Sequence, residues 1–175
     1  MAQAGPSIQL GFLTIVHEAI GYIGGYLVTN IWGRPLEFRL STAVQPNRVQ
    51  QILYGQSLPG YLHGELIGRT LVEKTSSIAN LIFTDNRLAL NLRISLNVPI
   101  VWIAAGEAEP LGLVIRPAQE NRPALVGHGA YPEDLPRIND VLQQLDSHLD
   151  LLEPFGRVRE AIAEARKMGV TNRAS

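Results

Sequence analysis

Residues 26–40 read Tyr26-Leu27-Val28-Thr29-Asn30-Ile31-Trp32-Gly33-Arg34-Pro35-Leu36-Glu37-Phe38-Arg39-Leu40. The last five alternate strictly, which predicts Leu36, Phe38 and Leu40 on an inward face and Glu37 and Arg39 on an outward one. Tyr26 to Thr29 is a second β-prone run, and the Gly33-Arg34-Pro35 turn between the two makes them a hairpin. Upstream, Ile8 to Val16 carries β-branched and apolar residues on both alternating faces, as a strand covered on both sides does. Gly21 to Gly25 interrupt the pattern between these runs. His17-Glu18 and the glycines also break residues 8–33 too often for a membrane span, so the reading is buried strands.

Downstream, Pro46-Asn47 opens a short helix with Val49, Ile52 and Leu53 at helical spacing. A second helix is predicted from about Tyr61 to Lys74, with Leu62, Leu66 and Leu71 on one stripe. Gly64 and Gly68 lie one turn apart in it, either to admit a close neighbour or as tolerated weak points. Ala79–Thr84, Val98–Ile103 and Leu111–Ile115 read as strands, and 117–131 as loop. Ile138, Val141, Leu142, Leu145, Leu149 and Leu152 form one apolar stripe, and Val158, Ile162, Ala165 and Met168 form a second beyond Pro154 and Gly156. The first helix is acid-rich and the second basic, which suits a helical hairpin. The expected architecture is α+β: a mixed five- or six-stranded sheet beginning with an antiparallel hairpin, helices packed on it, and a C-terminal helical pair. Residues 1–131 form the core, 132–168 the helical pair on it within one domain, and 169–175 a flexible tail.

At 175 residues the chain is long enough for one domain, and 46% hydrophobic against 18% charged residues argues for a folded core. A net charge of −1 supplies no long-range field for nucleic acid or anionic lipid. The absence of cysteine removes disulfides, thiolate metal sites and a Cys nucleophile, and fits a cytoplasmic location. No secretory signal opens the sequence. Phosphate loops, dinucleotide fingerprints and common hydrolase motifs are also missing. His17, His63, His128 and His148 lack metal-ligand spacing.

Several short motifs, taken in order, resemble the ribonuclease H-like family. Gly24-Gly25-Tyr26 and the 26–40 hairpin resemble its antiparallel opening, and Asn47-Arg48-Val49-Gln50 the start of its first helix. Leu81-Ile82-Phe83-Thr84-Asp85-Asn86 resembles its fourth strand, and Gly127-His128-Gly129 with Pro132-Glu133 the loop before its last helix. The resemblance implies carboxylates converging on two divalent metals, magnesium or manganese, one activating water and the other stabilising the leaving oxygen. Asp85 matches the fourth-strand acid, Glu18 is nearest to the first-strand acid, and Gln50 replaces the helix acid. For the last acid, Asp140 lies about 200° round the helix from Ile138, facing solvent, whereas Asp134 falls within about 40° of the stripe. Glu133 and Asp134 are therefore the candidates, with N-capping as the expected job of Asp134. The implied catalytic set is Asp85, Glu18 and Asp134, with Asp85 and Glu18 as metal ligands. A roadblock- or longin-like layout fits the same order of elements.

The incomplete acid set, the missing cofactor loop and the absence of a basic face point first to a non-catalytic interaction or assembly subunit without a cofactor. It would bind a protein partner or itself through the C-terminal helices or the hairpin tip, where Trp32 and Arg34 are the candidate anchors. The alternative is a divalent-metal-dependent ribonuclease H-like nuclease, and only under it is nucleic acid a partner. Neither reading involves a membrane.

Overall fold

The computed structural model describes residues 7–106 and 112–170. Strands β1 (Gln9–Glu18) and β2 (Gly21–Asn30) pair antiparallel over their full lengths, from Gln9 opposite Asn30 to Glu18 opposite Gly21. β3 (Pro35–Leu40) returns antiparallel beside β2. The tip between them is closed by Asn30, whose side-chain oxygen accepts from the backbone N–H groups of Trp32 and Arg34. On its other side β1 runs parallel to β4 (Leu81–Thr84), and β4 parallel to β5 (Ile100–Ala104). β7 (Ala124–Gly127) and β6 (Leu113–Arg116) complete the sheet antiparallel, giving the order β3-β2-β1-β4-β5-β7-β6.

The architecture is therefore α+β with a mixed sheet, but the sheet has seven strands, not five or six. The unexpected one is β7, inside the predicted 117–131 loop. Its four residues are all buried between β5 and β6, so the stretch is short and carries no alternation to read. Gly21 to Gly25 also lie within a strand instead of breaking one. A Cβ on Gly24 would stand 2.3 Å from Ile67 Cγ2, and one on Gly25 would stand 2.5 Å from Val158 Cγ1. The two glycines let a helix approach from each side of the sheet at the same point in β2.

Each face of the sheet carries its own core. Leu10, Phe12, Leu27, Phe83 and Ile103 lie under Ile138, Phe155, Val158 and Ile162 from the helices Leu135–Gln143 and Glu153–Lys167. Leu13, Tyr26, Ile82 and Trp102 face Ile67, Leu71, Leu90 and Leu92 on the opposite side. Each such side chain, fully buried, contributes roughly 1.5–3 kcal/mol relative to exposure.

The predicted 61–74 helix is present as a continuous helical run from Leu58–Gly60 through Tyr61–Gly68 to Arg69–Lys74. Its middle section is wound with π-type turns, so that the N–H of Arg69 reaches the carbonyl of Gly64. A Cβ on Gly64 would lie 3.2 Å from the backbone nitrogen of Leu92, so close approach is what this glycine serves. The first helix, Arg48–Tyr54, is set by a reciprocal cap. Asn47 Oδ1 accepts from the N–H of Gln50, and Gln50 Oε1 accepts from the N–H of Asn47. Its expected apolar stripe is not buried: Val49, Ile52 and Leu53 are all exposed.

The sidedness expected of β3 holds only in part: Leu40 packs on the core and Arg39 is exposed. Glu37 accepts from the N–H groups of Ser76 and Ser77 just past the Arg69–Lys74 helix, while Leu36 and Phe38 stay exposed. β3 is the sheet's outer strand, and the C-terminal helix packs mainly on β1 and β2, so Leu36 and Phe38 stay exposed.

The long stripe from Ile138 to Leu152 does not form one helix. The helix ends at Gln143, and 144–152 is a loop in which Asp146 accepts from the N–H of His148 and Asp150 from that of Leu152. These local carboxylate turns offer the backbone an alternative to the helical ladder. Leu145, Leu151 and Leu152 still pack on the sheet, from the loop. The C-terminal helices do not pair as a charged hairpin either. Among the described residues, the basic side chains of Glu153–Lys167 bind Glu153 and Glu164 of their own helix, and Asp85 and Glu18 at strand ends. No described helix is long and apolar enough to cross a membrane.

Candidate functional site

The sheet topology marks one place before any side chain is considered. β1 leads leftward into β2, whereas its parallel neighbour β4 leads rightward into β5. β4 stops at Thr84 while β1 runs on to Glu18 and turns back into β2, so the middle of β1 lies open beside the carboxyl end of β4. Leu13 is paired with Thr84, so the next residues, Thr14 and Asp85, meet there.

Thr14 follows Leu10 and Phe12 on one face of β1, is buried, and donates its hydroxyl to both oxygens of Asp85 at 2.8 and 2.9 Å. The third partner comes from the C-terminal helix: Arg159 Nη2 donates to Asp85 Oδ2. Arg159 adjoins Val158, whose burial over Gly25 fixes that turn of helix on the sheet. The Asp85 side chain is 12% exposed and that of Arg159 50% exposed, so the acid is walled in and the guanidinium faces out. Beside them opens a cleft of about 420 Å³ lined also by Arg87, Trp102 and Leu152. Two cations and one carboxylate line it, giving the crevice a local positive excess.

The other expected acids are elsewhere. Glu18, at the end of β1, binds Arg166 Nη1 at 2.8 Å on a separate cleft lined by His17, Tyr22 and Gln51. Asp134 is 3% exposed and forms a bidentate pair with Arg93, Nε to Oδ2 at 2.7 Å and Nη2 to Oδ1 at 3.1 Å. It stands at the cap position of Leu135–Gln143 but makes no capping hydrogen bond, which corrects the expected N-cap role. Arg93 also lies 4.0 Å over the Tyr131 ring and donates to the carbonyl of Leu96. Glu133 is exposed.

These pairings overturn the expected metal set. Glu18, Asp85 and Asp134 are each bound by a different arginine, and the described residues contain no group of three or more His, Cys, Asp or Glu side chains able to hold a metal ion. Gln50, in the place of the family's helix acid, is spent on the cap of an exposed helix. Asp85 belongs to the candidate site; Glu18 and Asp134 do not join it.

Thr14 and Arg159 are the site residues that sequence reasoning missed. Thr14 had a visible signal, since a hydroxyl follows Leu10 and Phe12 on an otherwise apolar strand face. Arg159 had none, because 74 residues separate it from its partner. Trp32 is at the hairpin tip as expected, 81% exposed, with Arg34 exposed beside it. Arg157 donates to the carbonyl of Gly33 and ties the tip to the C-terminal helix. His63 is buried against the carbonyl of Pro59, and burial pushes its pKa down, with His17 adding to the effect.

No protein-family model and no curated protein matches the sequence. Among solved structures, the chain is similar to an endonuclease V from Bacillus subtilis, with a TM-score of 0.50 and 13% identity over 94% of this chain and 81% of that one. At that identity the likeness speaks for the fold alone, which is in keeping with the ribonuclease H-like resemblance of the sequence. The cofactor expectation is corrected at its ligands: the acids expected to hold magnesium or manganese are not brought together among the described residues.

Proposed function

We propose that this chain is a nuclease-fold protein that engages the phosphodiester backbone of nucleic acid at the crevice between β1 and β4, with Asp85 as its central acid. The observation that carries the proposal is the Thr14–Asp85–Arg159 cluster where β4 ends beside the middle of β1, in a sheet similar to that of an endonuclease. Arg159 and Arg87 supply the charge that draws a phosphate, and a planar guanidinium suits its oxygens. With Arg159 turned to the phosphate, the Asp85 carboxylate is free to take a proton from water attacking phosphorus, as the bond to the departing sugar oxygen breaks.

The test is binding and cleavage of labelled single strands, duplexes and RNA–DNA hybrids at low salt. The wild type should bind and cut at least one of them. Asp85→Asn should bind without cutting. Arg159→Ala should weaken binding by roughly 10- to 100-fold, the worth of one charge-assisted hydrogen bond. A wild type that neither binds nor cuts any of these substrates, with or without divalent cations, refutes the reading.

A second reading rests on Trp32, a large exposed aromatic on a tip held rigid by Asn30 and Arg157. It makes the tip a protein-binding anchor, in this chain or a partner. Light scattering that shows a monomer at high concentration, unchanged by Trp32→Ala, removes self-association from that reading.

A further inference from the structure

A further cleft, of about 620 Å³, lies between the β6–β7 edge of the sheet and the loop that follows the Leu135–Gln143 helix. Leu152 lines both this cleft and the one beside Asp85, so the two are neighbours. Its walls differ in chemistry. Arg116, at the end of β6, and Arg122, just before β7, stand on one side; Leu142, Leu145, Leu149 and Leu151 stand on the other.

The two arginines are left without anionic partners. Neither makes an ion pair among the described residues, and the Nε of Arg116 is buried with no hydrogen-bond acceptor. Arg122 spends one nitrogen on the carbonyl of Ser147. Asp146 and Asp150 also line the cleft, yet each turns an oxygen to a backbone N–H of its own loop and neither reaches an arginine. Burial pushes the pKa of Arg116 down, and the charge of Arg122 adds to that push. A buried donor beside a like charge is costly unless an anion completes it.

We propose that this cleft binds a phosphomonoester with an apolar body, its phosphate held by Arg116 and Arg122 and its body laid on the leucine wall. A phosphate offers acceptor oxygens to both guanidinium groups at once, whereas a carboxylate has only two oxygens to share, and the lining's own Asp146 and Asp150 are held at backbone N–H groups of their loop. The volume falls in the range of small-molecule sites, and the division into an apolar wall and a few convergent polar groups is typical of them. The site is separate from Asp85 and does not depend on any action at that acid.

The test is calorimetric titration of the full chain with hexyl phosphate, inorganic phosphate and hexanoate. Hexyl phosphate should bind most tightly, inorganic phosphate more weakly for want of the apolar contact, and hexanoate more weakly for want of oxygens to serve both arginines. Arg122→Gln, an exposed position, should weaken hexyl phosphate by about tenfold or more. Arg116→Gln should do the same, with circular dichroism to check its fold. Asp85→Asn should leave this binding unchanged, which separates the site from the nuclease reading. The proposal is overturned if hexyl phosphate does not bind, if it binds Arg122→Gln as well as wild type, or if hexanoate or inorganic phosphate matches it.

Discussion

Replacing Asp134 by Ala discriminates between two roles for that residue, partner in a buried ion pair and N-cap. In the structure it is the buried acceptor of a bidentate pair with Arg93, at 2.7 and 3.1 Å, and both side chains are nearly sealed from solvent. Removing one partner of such a pair leaves the other charge uncompensated, at a cost of about 3–5 kcal/mol. Arg93 would keep only the Leu96 carbonyl and the Tyr131 ring. For a domain of this size each kcal/mol lowers Tm by about 2–4 °C, so the loss should be roughly 6–20 °C. An N-cap would cost only about 1 kcal/mol, or roughly 2–4 °C. The assay is thermal or urea unfolding of Asp134→Ala, and of Asp134→Leu, Arg93→Met and the double variant Arg93→Met/Asp134→Leu, which close a cycle with wild type. The double variant should recover much of the loss, because two apolar side chains leave no stranded charge. If Asp134→Ala lowers Tm by no more than a cap would, or if the single effects add with no coupling beyond about 0.5 kcal/mol, the buried-pair account is wrong.

Glu37 predicts a pH response. The backbone N–H groups of Ser77 and Ser76 hold its carboxyl down from the usual range to about 2. A lowered folded pKa means that its contribution to stability is fully present above the ordinary carboxylate range and is lost as pH falls toward about 2. Urea midpoints measured from pH 6 to pH 2 should fall less for Glu37→Gln than for wild type; parallel curves would refute the anchor. Trp32→Ala should leave the unfolding midpoint within about 0.5 kcal/mol of wild type, as at other exposed sites. A larger loss in urea unfolding would show that the tip is part of the fold and not a free surface.

What the sequence revealed, and what it hid, follows the range of the interactions involved. The hairpin was legible because alternation and a Gly-Arg-Pro turn are local signals. The inward positions of β3 were legible only at Leu40, because Glu37 faces N–H groups 39 and 40 residues away and the strand is an edge. Gly24 and Gly25 looked like a break since glycine is a poor strand former; two helices arriving from opposite faces reverse that reading. Leu145 and Leu152 kept helical spacing while Asp146 and Asp150 bent the backbone out of it. At the site, Asp85 was found through its strand end, a local feature. Which acids stand together was set by three arginines remote in sequence.

Arg159 decides what Asp85 is available to do. A guanidinium is a permanent cation, so no ordinary pH releases it from the carboxylate; only a competing anion does. Asp85 is walled in by the strands and held by Thr14, whereas the Arg159 side chain is half exposed, so the arginine is the member free to move. In the proposed nuclease, a phosphodiester that takes Arg159 would gain a partner and uncover the acid in the same step. A ligand without a phosphate does neither, and the pair stays closed. On the proposed function, binding and chemistry are coupled through one side chain, and Arg159→Ala should uncouple them. With Asp85 permanently uncovered, the variant should lose affinity while retaining cleavage at saturating strand concentration, a rise in KM without a matching fall in kcat. A fall in kcat at unchanged KM would mean that Arg159 acts on the transition state, and that the exchange from carboxylate to phosphate is not its role.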